Sequence, residues 1–296
     1  MRACLVLVHT TIIHRITTLV QRTSRSKTTV GILLLLLTGT ALPEQENRDS
    51  LSHLQVFPGK KIFPVFTADG LAHQLSLSRV TENRDWIGAV GGSIPLVQVN
   101  AKNITLQGSV AVTIFNRLVK RPGHLEVYTV DYKVDFPVDI RLSELALRIA
   151  LGHISCHFAD DAIELYGKNS IQHVNDYITL NAAYDLPVIG GYVYGGFNYS
   201  FGTQPIQHKP WLFQIGAHVG NIALHDEITL YGAFDVKVKE EVGWGSIRSF
   251  QVGVRLFPRL NYGLRLAYTL RAGFEERGQF YMTKATNNLI SAYIDF

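Results

Sequence analysis

A strict alternation of apolar with small or polar residues recurs along this chain, and it constrains the fold more than any other feature. From Leu145 to Ser155, Leu or Ile occupies positions 145, 147, 149 and 151, and Ala, Arg, Ala and Gly occupy positions 146, 148, 150 and 152. Neighbouring side chains of a β-strand point to opposite faces, so this stretch has one apolar wall and one small or charged wall. The sequence therefore predicts long strands with two chemically different faces.

The same alternation predicts twelve strands between residue 72 and the C-terminus. We expect them at residues 72–80, 86–98, 103–116, 124–138, 144–158, 173–185, 189–201, 210–219, 227–239, 246–257, 261–272 and 285–296. Alternating segments of about ten residues are typical of β-barrels that cross a membrane. The fold class predicted for residues 71–296 is therefore all-β, a transmembrane antiparallel up-and-down β-barrel of about 12 strands.

A soluble β-sandwich alternates in the same way, and the pattern alone leaves that alternative open. Only 18% of the residues are charged and 47% are hydrophobic, which suits a surface that largely avoids water. On the strands, the charges share one face, which would be the lumen of a barrel: Asp131, Lys133, Asp135, Arg148, Asp235, Lys237, Lys239, Arg255, Arg265 and Arg271. The net charge of +4 is spread without a basic run, so nucleic acid is not expected as a partner.

Residues 1–41 have the features of an export signal. Basic residues precede the apolar run from Val30 to Leu37, and the small residues Gly39 and Ala41 follow it. The alternative is a buried N-terminal helix. Residues 42–70 contain several prolines, which favour loops or sheet edges. We therefore expect a signal peptide at 1–41 and a short periplasmic segment at 42–70 that packs on or into the barrel.

The C-terminal strand ends on an aromatic residue, Phe296, after the outward positions Ile290, Ala292 and Ile294. This ending resembles the recognition signal of bacterial outer-membrane barrels. It implies the barrel-assembly machinery as a partner and the bacterial outer membrane as the location. An even number of strands places both termini in the periplasm, and the alternation of short turns with longer loops agrees with this.

Three segments carry a resemblance to one family: residues 63–69, residues 86–92 and residues 153–161. With them, the chain resembles a family of bacterial outer-membrane barrels catalogued as a domain of unknown function, DUF1207. The third segment departs from the family pattern His-x-Ser-x-His-x-Gly-Asp-Glu at Ala159 and Asp161. The resemblance implies the fold and the compartment, and it implies no activity.

The apolar wall of the fifth predicted strand is broken by His153 and Ser155. This pair resembles the lipid-facing His-x-Ser pair of two outer-membrane lipid hydrolases, phospholipase A and the lipid A 3-O-deacylase. Residues two apart on a strand share a face about 6.6 Å apart, so an imidazole can lean onto a hydroxyl and act as its base. A regular hairpin would pair Phe158 with His173 and Ser155 with Asp176, which would then share the outward face.

The resulting hypothesis is a catalytic triad with Ser155 as nucleophile, His153 as base and Asp176 as orienting acid. A one-residue slip of the hairpin would replace Asp176 by Asn175. The alternative is that the polar residues mark where the strand leaves the hydrocarbon for the polar headgroups. No cofactor or metal site is predicted, although calcium would be the ion to test in a lipid hydrolase.

Opposite charges in the lumen usually cross-link a barrel of this size, and a pair such as Asp135 and Arg148 would narrow it. We therefore expect an outer-membrane barrel that is structural or forms a narrow pore for small solutes. The alternative is a lipid esterase, so enzymatic activity stays an open question. Outer-membrane phospholipid and lipopolysaccharide are the lipid partners in both cases.

Overall fold

A computed structural model describes residues 53–166, 170–206, 208–257 and 263–296. The predicted signal peptide and the first part of the predicted periplasmic segment lie outside these residues. The described strands form one antiparallel sheet: β1 His53–Val56, β2 Leu75–Val80, β3 Trp86–Ala101, β4 Ile104–Arg121, β5 His124–Leu142, β6 Leu145–Phe158, β7 His173–Leu186, β8 Gly191–Gln204, β9 Trp211–His225, β10 Ile228–Lys239, β11 Gly245–Leu256, β12 Gly263–Phe274 and β13 Lys284–Asp295.

Strands β2 to β13 close into a barrel. Each strand pairs with the next, and β13 pairs back onto β2, with Ile294 opposite Leu75. Each of the twelve predicted segments coincides with one of these strands, so the predicted all-β fold and the closed antiparallel barrel of 12 strands are confirmed. One short α-helix, α1 Asp160–Tyr166, lies between β6 and β7. None of the helices in the described ranges has the length and apolarity to span a membrane.

Strands β4 and β5 are longer than predicted. The prediction ended β4 at residue 116, but the strand continues to Arg121 and turns directly into β5 at His124. In the extension Leu118 and Val119 are adjacent and are flanked by basic residues, so the apolar alternation is broken there and does not mark the strand. Cross-strand pairing stabilises it instead, because the Arg121 guanidinium lies 3.0 Å from the Glu126 carboxylate.

The first wall strand is split into two parts, β1 and β2. Both pair antiparallel with β3: Val56 lies opposite Val97, and Ser76 lies opposite Ala89. Along β3, residues 90–96 lie between the part that pairs with β1 and the part that pairs with β2. The chain itself connects β1 to β2 through residues 57–74. We call residues 57–74 the strap. The prediction placed β1 outside the sheet, because a strand of four residues has too little alternation to identify it.

The strap lies inside the barrel. The Phe63 side chain is only 3% exposed and packs against Ala146, Ala183 and Tyr194 of the wall. The guanidinium of Arg148 lies 4.2 Å from the centroid of the Phe63 ring. The wall side chains and the Arg148 guanidinium together cover the Phe63 ring. Burial of this ring anchors the strap in the lumen.

The contacts of the charged side chains agree with the prediction that they point into the lumen. One predicted ion pair, however, is wrong. Arg148 bonds to Asp139, which lies directly opposite it, with Nε–Oδ1 and Nη2–Oδ2 distances of 2.6 and 2.8 Å. Asp135 lies opposite Gly152, too far along β6 for a cross-strand pair with Arg148. The sequence shows the face of each residue, whereas the strand register selects its partner.

Replacement of Phe63 by alanine is expected to loosen the strap. Loss of a buried Phe side chain costs about 3–5 kcal/mol, and here the cost falls on the docking of residues 57–74. Limited proteolysis of the folded barrel should therefore cut the strap at least about tenfold faster in Phe63→Ala than in the wild type. Phe57→Ala is the matched control, because Phe57 is 68% exposed; equal rates for both variants would contradict the packing role of Phe63.

Candidate functional site

The outward face of β6 and β7 carries a hydrogen-bonded pair of polar side chains. His153 and Asp176 lie directly opposite each other on the two strands. The Nδ1 atom of His153 lies 2.6 Å from Oδ1 of Asp176, and the two side chains are 46% and 45% exposed. A carboxylate on Nδ1 holds the proton there and leaves the Nε2 lone pair free to accept another proton. The arrangement is that of an oriented general base.

The predicted hairpin register between β6 and β7 is wrong by two residues. His173 pairs with Cys156 instead of Phe158, and Asp176 pairs with His153 instead of Ser155. The connection contains helix α1 and is not a regular hairpin, so β6 continues beyond the last paired residue. A slip of two residues keeps every side chain on its predicted face. Asp176 therefore stays outward, and it lies nearer to His153 than predicted.

Ser155 lies two residues beyond His153 on the same strand, opposite Tyr132 of β5 and Val174 of β7. Its side chain is half-buried. Among the described residues, no hydrogen bond joins Ser155 to the His153 ring. Catalytic hydrogen bonds are often long in unliganded enzymes and shorten when substrate binds. The structure therefore brings His153 and Asp176 together and leaves Ser155 on the same face without a hydrogen bond to His153.

Gly202 of β8 makes room for the Asp176 carboxylate, which the sequence analysis did not foresee. The two residues lie opposite each other beside an irregularity in the strand pairing. A Cβ atom at position 202 would lie 2.8 Å from Oδ2 of Asp176, closer than side chains tolerate. The sequence gives no signal for it, because simple alternation after Tyr199 and Phe201 places Gly202 on the inward face, and only the irregularity in the pairing brings it opposite Asp176.

A second polar assembly lies in the lumen, around Asp69 of the strap. Its carboxylate accepts hydrogen bonds from the Lys237 ammonium, from Nε2 of Gln214 at 3.1 Å and from the backbone N–H of Leu71 at 2.8 Å. Burial alone would raise the pKa of Asp69, but the positive charges of Lys237 and Lys133 outweigh it and lower the pKa to about 2. Asp69 is therefore ionised at neutral pH.

His73 docks the end of the strap. Its Nε2 atom lies 2.7 Å from Oδ2 of Asp135, and its Nδ1 atom lies 2.9 Å from the Thr113 hydroxyl. Burial and the neighbouring Lys133 charge lower the pKa of His73 below its ordinary value of 6.5. The neutral ring fits both contacts, because Nε2–H then donates to the carboxylate and Nδ1 accepts from the hydroxyl.

The loop between β12 and β13, residues 275–283, also turns into the barrel. Glu276 lies 2.5 Å from the Lys237 ammonium, and the Gln279 side chain donates to the backbone oxygen of Cys156 at 2.8 Å. The Phe280 ring stacks on Tyr128 with centroids 5.8 Å apart. The predicted strands 261–272 and 285–296 leave this segment only as a connection between them. Together with the strap, the loop fills much of the lumen.

One carboxylate of α1, that of Asp161, bonds to the wall. Oδ2 of Asp161 accepts a hydrogen bond from the backbone N–H of Val127 at 3.1 Å. Within the ranges that the structure describes, no group of three or more His, Cys, Asp or Glu side chains has the arrangement of a metal site.

Comparison with known proteins relates the chain to one family. The model of the family described as "Protein of unknown function (DUF1207)" matches residues 80–296. The matched region contains two of the three segments noted in the sequence, and residues 63–69 lie before it. No curated protein matches the sequence.

Among solved structures, the barrel resembles several outer-membrane proteins. The outer membrane phospholipase A from Escherichia coli aligns over 75% of this chain and 89% of that chain, with 11% identity and a TM-score of 0.48. The calcium-bound dimer of the Salmonella typhi outer membrane phospholipase aligns over 75% and 90%, with 13% identity and a TM-score of 0.45. OprD from Pseudomonas aeruginosa aligns over 72% and 76%, with 11% identity and a TM-score of 0.30. At these values the likeness concerns the barrel architecture alone.

Acid is expected to weaken the docking of the strap. The pKa of Asp69 in the folded protein is about 2, below its ordinary value of 3.8, so its stabilisation is complete above about pH 4 and is lost as the pH falls towards 2. A shift of this size corresponds to about 2 kcal/mol. In hydrogen exchange, the protection factor of the Leu71 amide should fall at least about tenfold between about pH 5 and pH 2. Asp69→Asn should show no such fall, and a constant protection factor in the wild type would contradict the role of the Asp69 charge.

Proposed function

The chain belongs to the DUF1207 family, and on that premise we propose that it is an integral protein of the bacterial outer membrane that hydrolyses lipid esters at its outward face. The observation that carries the esterase proposal is the 2.6 Å hydrogen bond between His153 and Asp176 on that face. Ionisable pairs are rare on the lipid side of a barrel, because lipid cannot solvate them, and those that occur are functional candidates.

The exposure of the outward face supports the membrane location. Large aliphatic and aromatic side chains point away from the lumen and are half-exposed on strands all around the barrel: Val90, Val112, Ile149, Leu151, Ile215, Phe250, Val252 and Ile290. Soluble monomers rarely expose apolar surface on this scale. Lipid would cover this apolar surface without loss of favourable solvation. The predicted export signal at residues 1–41 provides a route to the outer membrane.

The C-terminus supports a further part of the proposal, that the barrel-assembly machinery recognises Phe296. The Phe296 side chain is 52% exposed, and its backbone oxygen accepts a hydrogen bond from the Lys61 ammonium at 2.6 Å. The contact holds the last residue at the edge of the barrel with its ring accessible. Phospholipid and lipopolysaccharide are the proposed lipid neighbours of the outward face.

In the proposed reaction, His153 Nε2 takes the proton from the Ser155 hydroxyl as its oxygen attacks the ester carbonyl of a lipid. The bond between the carbonyl carbon and the alcohol oxygen breaks, and His153 returns the proton to the departing alcohol. A water molecule, activated by the same ring, then hydrolyses the acyl-serine and releases a fatty acid. Asp176 stabilises the imidazolium that forms in both steps, which is why its position on Nδ1 matters.

A narrow pore is the second candidate function. In this conformation the strap and the β12–β13 loop occupy the lumen, so a path for solutes would require the strap to move. One observation favours this candidate: a cavity of about 180 Å³ lies beside the strap and is lined by Lys133, Arg148 and Lys237.

The esterase proposal predicts that the refolded protein releases fatty acid from phospholipid or lipid A in mixed micelles, assayed with and without calcium. Ser155→Ala should abolish release, and Asp176→Asn should lower kcat about 10²- to 10⁴-fold, because the imidazole loses its correct tautomer. His157→Gln, on the same outward face, should keep its activity within about twofold. Folding of each variant is checked by circular dichroism.

A glycine pair on β8 provides a matched control for the position of Asp176. Gly202→Ala should lower kcat because the new methyl group displaces the carboxylate, whereas a Cβ at Gly195 lies 3.4 Å from its nearest neighbour and Gly195→Ala should be neutral. The absence of fatty acid release by the folded wild type, or release that persists in Ser155→Ala, would overturn the proposed activity.

A further inference from the structure

The side chains around Asp69 in the lumen are arranged like those of a carboxylate-binding site. The wall contributes two donors, the Lys237 ammonium from β10 and the Gln214 amide from β9, and both bond to the carboxylate of the strap. The three residues are buried, with exposures of 6% for Asp69, 7% for Gln214 and 5% for Lys237. A charged donor and a neutral donor that converge in a buried site are a common means of recognising a carboxylate. We call Lys237 and Gln214 the carboxylate seat.

The wall and the β12–β13 loop hold the seat in place independently of the strap. Oδ2 of Asp235 accepts a hydrogen bond from Gln214 Nε2 at 2.6 Å, and Glu276 lies 2.5 Å from the Lys237 ammonium. Oδ1 of Asp235 lies 4.0 Å from the same ammonium. Both donors therefore keep their positions when Asp69 leaves, and a preorganised site loses little entropy on binding a new ligand.

The surroundings of the seat favour an anion in spite of the neighbouring acids. Burial alone would raise the pKa of Asp69, and the attraction of Lys237 and Lys133 lowers it to about 2. The same attraction would act on any other carboxylate in this position.

The cavity beside the strap gives a ligand room beyond its carboxylate. Its lining includes Asp69, Lys237 and Gln214, and also the amide side chains of Asn181 and Asn198. The cavity has a volume of about 180 Å³, which accommodates the rest of a small ligand that carries hydrogen-bonding groups.

We propose that the carboxylate seat binds small carboxylate solutes in the lumen, and that Asp69 is the resident ligand with which such a solute competes. The strap is then a displaceable occupant of a solute site. This inference concerns the lumen and does not depend on the esterase site of the outward face.

The test uses the full chain with Asp69→Ala, which vacates the seat, and formate as the probe. Sodium formate should shift the ¹³C-formate resonance and raise the thermal unfolding midpoint saturably, whereas sodium chloride at equal ionic strength should not. Thr67→Val is the matched control: Thr67 bonds to Tyr192 and His218, so this variant loosens the strap and leaves Asp69 in the seat. Asp69 still competes with formate in this variant, so half-saturation should require at least about tenfold more formate than in Asp69→Ala.

A second variant tests the donors. Gln214→Leu in the Asp69→Ala background should weaken formate binding about tenfold, because it removes one hydrogen bond to a charged ligand. In the wild-type protein, formate should speed proteolysis of the strap more than chloride does. The proposal is overturned if Asp69→Ala and Thr67→Val respond equally to formate, if formate has no effect beyond that of chloride, or if Gln214→Leu leaves its binding unchanged. The fatty acid assay is separate, so failure of one proposal does not affect the other.

Discussion

The burial of the Lys237 ammonium is the constraint on which the interior of this barrel depends. The side chain is 6% exposed, and its partners come from separate parts of the chain: Asp69 from the strap, Glu276 from the β12–β13 loop and Asp235 from its own strand. An unpaired buried charge costs about 3–5 kcal/mol, so the wall, the strap and the loop stabilise one another. The strap and the loop provide two of the three carboxylates around Lys237, so their docking in the lumen is coupled to this charge.

The outer wall has the opposite requirement. Its strands present aliphatic and aromatic side chains, which lipid solvates well, so each polar group on this face needs a reason to be there. His153 and Asp176 satisfy each other through one hydrogen bond, and Gly202 leaves space for the carboxylate. These two polar assemblies therefore lie on opposite faces of the wall and support different proposals, ester hydrolysis outside and carboxylate binding inside.

Alternation predicted the strands and their faces well, because the period of two depends only on the geometry of each strand. The outward direction of His153, Ser155 and Asp176 survived a register error of two residues for the same reason. Partners were predicted less well: Arg148 bonds to Asp139, since pairing depends on how neighbouring strands align.

The position of the strap was only partly predictable. Its prolines indicated a loop that packs on or into the barrel, but no periodicity could show that Asp69 and His73 reach Lys237 and Asp135. Those contacts join residues 168 and 62 positions apart in sequence, which a local pattern cannot pair. The space that Gly202 leaves for Asp176 likewise depends on the pairing of β7 with β8.

The most direct test of the filled lumen is the accessibility of the strap to a water-soluble thiol reagent. Ala68 lies in the strap with 2% exposure, whereas Val188, in the turn between β7 and β8, is 99% exposed. All variants are made in a Cys4→Ser background, which serves as the blank because the remaining cysteine, Cys156, is buried. In the folded barrel, Val188→Cys should react readily with a hydrophilic maleimide, and Ala68→Cys should react only after unfolding. Labelling of Ala68→Cys at the rate of Val188→Cys would show that the strap does not occupy the lumen and would contradict the account.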